Sequence, residues 1–266
     1  MAQEFGSHKG SFPGAPRTHC AVAAMASSTS AHLRQFRAHL GETAPFRWFT
    51  SHDMHQILLL GPEGSGKTTL LYKLKLPSWR ATDMARELAY CKELSSHNGG
   101  VAGSGDPAYH YEEFSSRPLQ NYGIWDIPGN ATFQMLWPMF YRFVRISAVI
   151  FVIDNFSSVR DNMDRIFQAR ELLHTLLNED ELRAAAFVIL LNVGWSEEED
   201  PQQALQEHDR EQALFEVLGL PEFKNAGPHK NRILGATLNC ATIAPDHPKW
   251  QAILRDIKLI HNMVPS

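Results

Sequence analysis

The chain has 266 residues, 44% of them hydrophobic and 10% aromatic, enough for one large α/β core with extensions. A net charge of −4 provides no basic field of the kind that holds nucleic acid, and no apolar run approaches a membrane span or the centre of a secretory signal. The three cysteines, Cys20, Cys91 and Cys240, are far apart, odd in number and without CxxC or Cys/His metal spacing, so a reducing, cytoplasmic setting is expected.

Residues 1–30 are rich in Gly, Ser, Ala and Pro without periodicity and are expected to form a disordered N-terminal extension, with Met1 and Met25 both candidate starts. Within 31–52, Leu33, Phe36 and Leu40 fall at helical spacing beside Arg34 and Arg37, ahead of Trp48-Phe49. That pattern describes an amphipathic helix with two destinations open to it, a membrane surface by peripheral contact or its own domain. Neither start places a glycine where N-myristoylation needs one.

From residue 53 onward the pattern is that of one domain running to 266. The apolar run Ile57 to Leu60 reads as a strand and is followed at once by GPEGSGKTT, residues 61–69. Gly61-x-x-x-x-Gly66-Lys67-Thr68 between a strand and a helix is P-loop spacing. Gly61, Gly64 and Gly66 let the backbone wrap phosphates without a Cβ in the way. The amides of Ser65 to Thr69 and the positive end of the following helix attract the anion, Lys67 adds a point charge, and the Thr68 hydroxyl is a Mg²⁺ ligand by type. Glu63 is discordant, because an acidic side chain inside an anion cradle repels phosphate unless it points away or contacts Mg²⁺ or water.

A helix is expected over Thr68 to Leu76, then a long glycine-containing stretch, residues 77–120, read as a mobile insertion with its core at about 77–105. Strand Asn121 to Asp126, a helix around Phe133 to Phe143, strand Ala148 to Asp154 and helix Val159 to Leu177 follow. Strand Ala186 to Asn192, helix Gln202 to Leu218, strand Ile233 to Ala241 and helix Pro248 to His261 complete the chain. Alternating strands and helices indicate a mostly parallel sheet with helices on both faces, whose ligand sits beyond the strands' carboxyl ends. Gly61, Asp126, Asn192 and Ala241 should converge there.

These residues resemble the Arf/Arl branch of Ras-like small GTPases, from about Met54 to Ile260. GKTTLLYKLKL (66–76) is similar to the family's P-loop and first helix, WDIPGN (125–130) to its WDxGGQ switch with LW (136–137) in register, and CAT (240–242) to its last base-binding loop. IFVID (150–154) and EDELR (179–183) look like the segments joining the middle of that fold. The resemblance implies a P-loop NTPase fold of the Ras-like G-domain type and a GTP/GDP and Mg²⁺ switch in membrane traffic or ciliary transport. Its implied partners are exchange factors, GTPase-activating proteins and effectors. It also implies that Asp126 supports Mg²⁺ through water, that the Gly129 amide contacts a γ-phosphate, and that Asn192, Ala241 and Thr242 line the base site.

Three departures from the family pattern bear on activity. Asn130 stands where the family has the glutamine that orients the attacking water and is one methylene shorter, and a displacement of about an ångström at a reacting centre costs on the order of a hundredfold. Pro128 beside it fixes φ and should stiffen the switch. Pro107 aligns with the switch I threonine, leaving Ser104 or Asp106 as substitutes if that switch closes at all. Val193 and Trp195 replace the lysine and aspartate of NKxD, and the acidic run Glu197 to Asp200 could stand in only by curling back. Slow hydrolysis and weak base discrimination are expected. A pseudo-GTPase scaffold is the alternative, and a P-loop kinase or ATPase a third, disfavoured because no separate catalytic base motif is evident.

Overall fold

A computed structural model describes residues 54–80, 109–154, 163–193, 211–225 and 227–263, together with residues 82, 83, 86 and 209. The N-terminal extension and helix expected over 1–52, and residues 87–105 of the expected insertion, lie outside the described residues.

The described residues open with β1 (Met54–Leu60), whose last five residues are buried, and pass through the glycine loop into α1 (Lys67–Lys75). β2 (His110–Ser116) and β3 (Gln120–Asp126) form an antiparallel hairpin. α2 (Ala131–Gln134) and α3 (Trp137–Phe143) precede β4 (Ala148–Asp154) and α4 (Met163–Leu177). A 3₁₀ turn at Asp180–Leu182 leads to β5 (Ala186–Asn192). Residues 211–217 are helical (α5), followed by α6 (Leu220–Asn225), β6 (Ile233–Leu238) and α7 (Pro248–Met263).

Among the described residues, six strands lie in the order β2-β3-β1-β4-β5-β6, and every adjacent pair except β2 with β3 is parallel. β4 and β5, AVIFVID and AFVILLN, are buried along all but the last residue, which explains why they read as continuous apolar runs rather than alternating ones. One face packs Leu70, Leu71 and Leu74 of α1 and Trp250, Leu254 and Ile257 of α7 on the sheet. The other packs Trp137 and Phe140 of α3 with Leu173 and Leu176 of α4. This is the α/β, mostly parallel sheet of a P-loop protein, with β1 at its centre feeding the glycine loop.

Four elements differ from the sequence-based expectation: α6, where no helix was expected, and three more. β2 lies inside the stretch read as a mobile insertion; its sequence HYEEFSS is polar because it is an edge strand with no fully buried residue. The single helix expected around Phe133 to Phe143 is two, since Pro138 has no N–H and its ring would strike the carbonyl four residues back, so α2 stops at Gln134 and α3 starts afresh with Pro138 in its first turn. β6 ends at Leu238 rather than Ala241 because Asn239 turns the chain, accepting from the Ala241 amide with its side chain and from the Thr242 amide with its carbonyl.

Candidate phosphate-binding site

The loop between β1 and α1 adopts backbone angles that only glycine takes readily, with φ of 139° at Gly61, 77° at Gly64 and 101° at Gly66. Space enforces the same choice. A Cβ at Gly61 would lie 2.2 Å from the Val152 carbonyl oxygen, and one at Gly66 would lie 2.4 Å from Asn192 Nδ2. Lys67 is only 5% exposed and curls back over the loop, donating to the carbonyls of Gly61 at 3.0 Å and Pro62 at 2.8 Å and to Ser65 Oγ at 3.4 Å. Ser65 is buried, Thr68 and Thr69 are half-buried in the first turn of α1, and Gly64 is exposed.

The segment after β3 closes on this loop. Thr68 Oγ1 donates to Asp126 Oδ2 at 2.6 Å, bringing a hydroxyl and a buried carboxylate together across 58 residues of sequence. Two hard oxygen donors so placed fit the ligand preference of Mg²⁺. Gly129 lies directly on the cradle: a Cβ there would come within 2.1 Å of the Gly61 carbonyl oxygen and 2.8 Å of the Glu63 nitrogen.

Asn130 has a different engagement. Its Oδ1 accepts from the Phe133 amide at 3.1 Å, making it the N-cap of α2. Gln134 then donates to the Gly129 carbonyl at 2.6 Å and Trp137 Nε1 to the Pro128 carbonyl at 3.2 Å, so the whole 128–137 turn is tied to itself.

Glu63 resolves simply: its side chain is exposed. Its carbonyl accepts from Arg165 Nη2 at 3.2 Å, and the same guanidinium forms a 3.0 Å ion pair with Asp154 at the end of β4. On the far side, Asn192 at the end of β5 uses both ends of its carboxamide, donating to the Ser65 carbonyl at 3.0 Å and accepting from the Cys240 amide at 3.0 Å. Cys240 is buried, which pushes its thiol up to about 12 and leaves it without thiolate character. Ala241 is half-buried and Thr242 exposed beside it.

Residues 108–228 match the model of the ADP-ribosylation factor family. Over that segment the chain is similar to the Arf family. The match contains the Asp126 to Asn130 segment and Asn192, and the glycine loop of residues 61–69 stands upstream of it. A solved structure of the Arl6 BBS3 small GTPase from Trypanosoma brucei, with bound nucleotide analogue GppNp, aligns over 77% of this chain and 98% of its own, at 16% identity and a TM-score of 0.47.

The structure gathers Gly61 to Thr69, Asp126, Gly129 and Asn192 at the carboxyl ends of the strands, with Ala241 and Thr242 on the adjoining loop. Pro107, Ser104, Asp106, Trp195 and the run from Glu197 to Asp200 lie outside the described residues. Sequence reasoning missed Arg165, Asp154, Gln134 and Asn239. Asp154 carried the one available signal, a charge at the carboxyl end of a buried strand; Arg165 and Gln134, on helices, and Asn239, on a loop, meet their partners only through tertiary contacts or turns that no local pattern announces. Among the described residues, no helix is long and apolar enough to cross a membrane.

Proposed function

We propose that the protein binds a guanine nucleotide with Mg²⁺ as an Arf-like switch and hydrolyses the triphosphate very slowly. Membrane traffic or ciliary transport is its setting, and exchange factors, GTPase-activating proteins and effectors are its partners. The observation that carries this reading is the fit of the glycine cradle to Gly129 and to the Thr68–Asp126 pair, because it brings a glycine loop, one buried ammonium and two oxygen ligands together. Amides of 64–69 would hold the phosphates, and Lys67 would turn from the Gly61 and Pro62 carbonyls towards them. Thr68, and Asp126 through water, are the residues that would hold Mg²⁺, whose chemistry is to neutralise charge on the phosphate oxygens.

Slow turnover is supported by Asn130, whose Oδ1 is engaged as the α2 N-cap and whose side chain is one methylene shorter than glutamine. A pseudo-GTPase scaffold differs from this reading only in never turning the nucleotide over, and the same cap favours it to that extent.

The test is thermal melting with GTP and Mg²⁺. A ligand at 100 times its Kd stabilises by about 2.7 kcal/mol, so a clear rise in Tm is expected, and Lys67→Ala should abolish it. Protein that purifies without nucleotide and melts unchanged in millimolar GTP would sink the proposal.

A further inference from the structure

A surface cavity of about 440 Å³ lies at the amino-terminal edge of the sheet, on the side away from the phosphate cradle. It forms where the chain runs from α3 into β4, beside the turn that precedes β5 and the last turn of α7. Its walls carry Arg142, Arg145, Glu181 and His261, with Phe143 and Ile146 as apolar surface between them. Glu181 is the one carboxylate in the lining, and it pairs with Arg142, Oε1 to Nε 3.4 Å. Arg145 is exposed and meets no carboxylate among the described residues.

Further in, the excess of positive charge continues. His261 is half-buried and meets His55 edge to face, with ring centroids 4.7 Å apart, and His55 Nδ1 lies 3.3 Å from Ser147 Oγ. Burial, then the charge of Arg145, lowers the His261 pKa, while burial, then His261 and Lys258, lowers that of His55 to about 4. The charges that shift these two rings are all cations, brought by the α3–β4 connection and by α7 itself. An oxyanion beside Arg145 would pair with the guanidinium, and its charge would let His261 take up a proton and become a second cationic donor.

We propose that this cavity binds a small dianionic oxyanion of the phosphate class, held between the Arg145 guanidinium and the His261 ring with Arg142 beside them. Two cationic donors favour two negative charges over one, so a monocarboxylate is the poorer ligand. The site shares no residue with the phosphate cradle and does not depend on the nucleotide reading. Because the bound anion brings a proton onto His261, binding tightens as pH falls.

The probe is sulfate, which keeps both charges across the range in which histidine titrates. Histidine ring resonances of the isotopically labelled full chain are followed by NMR while sulfate replaces chloride at constant ionic strength. Saturable shifts of His261 are expected, with binding about fivefold tighter at about pH 6 than at about pH 8 and acetate about tenfold weaker than sulfate. Arg145→Gln should weaken sulfate binding by about tenfold or more, Arg145→Lys should restore part of it, and Glu181→Gln should tighten it by about threefold. The His261 response should persist in Lys67→Ala, which removes anion binding at the cradle alone.

Shifts that grow without saturation, that acetate reproduces at the same concentration, that survive Arg145→Gln or that vanish in Lys67→Ala would each overturn the assignment. Should the Arg145 variants not fold, the native chain decides: sulfate binding that is independent of pH, or that weakens as pH falls, refutes a site in which His261 takes up the proton.

Discussion

The phosphate side of the cleft and its base and hydrolytic side are built from different materials. On the phosphate side the working groups are backbone amides, held by glycines at φ of 139°, 77° and 101° and by contacts too close for any Cβ. On the other side the family's work is assigned to single side chains, and here those positions hold Asn130, Val193 and Trp195. A backbone-built site survives as long as the loop closes, whereas a function resting on one carboxylate or one carboxamide ends with one substitution. On the proposed reading, the comparison teaches why a phosphate cradle is kept where turnover and base reading diverge.

Breaking the backbone-built side should have the largest effect. Gly61→Ala puts a methyl group against the Val152 carbonyl at a φ that L-residues avoid, so a loss of on the order of 3 kcal/mol and of any nucleotide-induced rise in Tm is expected in urea and thermal melts. A variant as stable as the native chain would show that the loop relaxes at little cost and that its glycines are not obligatory.

Asn192→Ala cuts the bolt between the two sides, leaving the Ser65 carbonyl and the Cys240 amide without their partner. A destabilisation of about 2 kcal/mol is expected, with weakened nucleotide binding. Stability lost with binding intact would mean that the bolt serves the fold alone.

The smallest effect sharpens the comparison from outside the cleft, at the opposite end of the sheet. His55 on β1 meets His261 on α7 edge to face, with ring centroids 4.7 Å apart. Burial, then the charges of His261 and Lys258, push the His55 pKa down to about 4, and burial also lowers His229 and His261. The folded state thus binds fewer protons than the unfolded chain between about pH 6.5 and 4, and stability falls as pH drops through that window. Urea midpoints should decline from pH 7 to pH 5, with a shallower slope in His55→Gln. A slope unaltered by that substitution would assign the acid sensitivity to other groups.

The same division governs what was legible in the sequence. The P-loop, Asp126 and Gly129 could be read because a backbone cradle demands glycines at fixed spacing, and β4 and β5 because strands buried on both faces must be apolar throughout. β2 escaped because an edge strand such as HYEEFSS carries no apolar face strong enough to separate it from a polar loop. The break between α2 and α3 was readable in principle from Pro138. Asn130 as a helix cap, Asn239 as a turn and Arg165 as a staple on the Glu63 carbonyl were not, since each depends on a loop geometry that appears only once the sheet has brought distant segments together.

The central claim is that the cradle holds a triphosphate and leaves it nearly intact, and single-turnover hydrolysis of GTP bound with Mg²⁺ tests it most directly. The native chain should release phosphate barely above the rate of a Lys67→Ala control. Asn130→Gln, which forfeits a cap worth about 1 kcal/mol but frees a longer carboxamide, should raise the rate. If it does not, Asn130→Gln combined with Pro107→Thr should, and switch I is then uncoupled as well. Brisk hydrolysis by the native chain, abolished by Lys67→Ala, would contradict the account and show that another group orients the water.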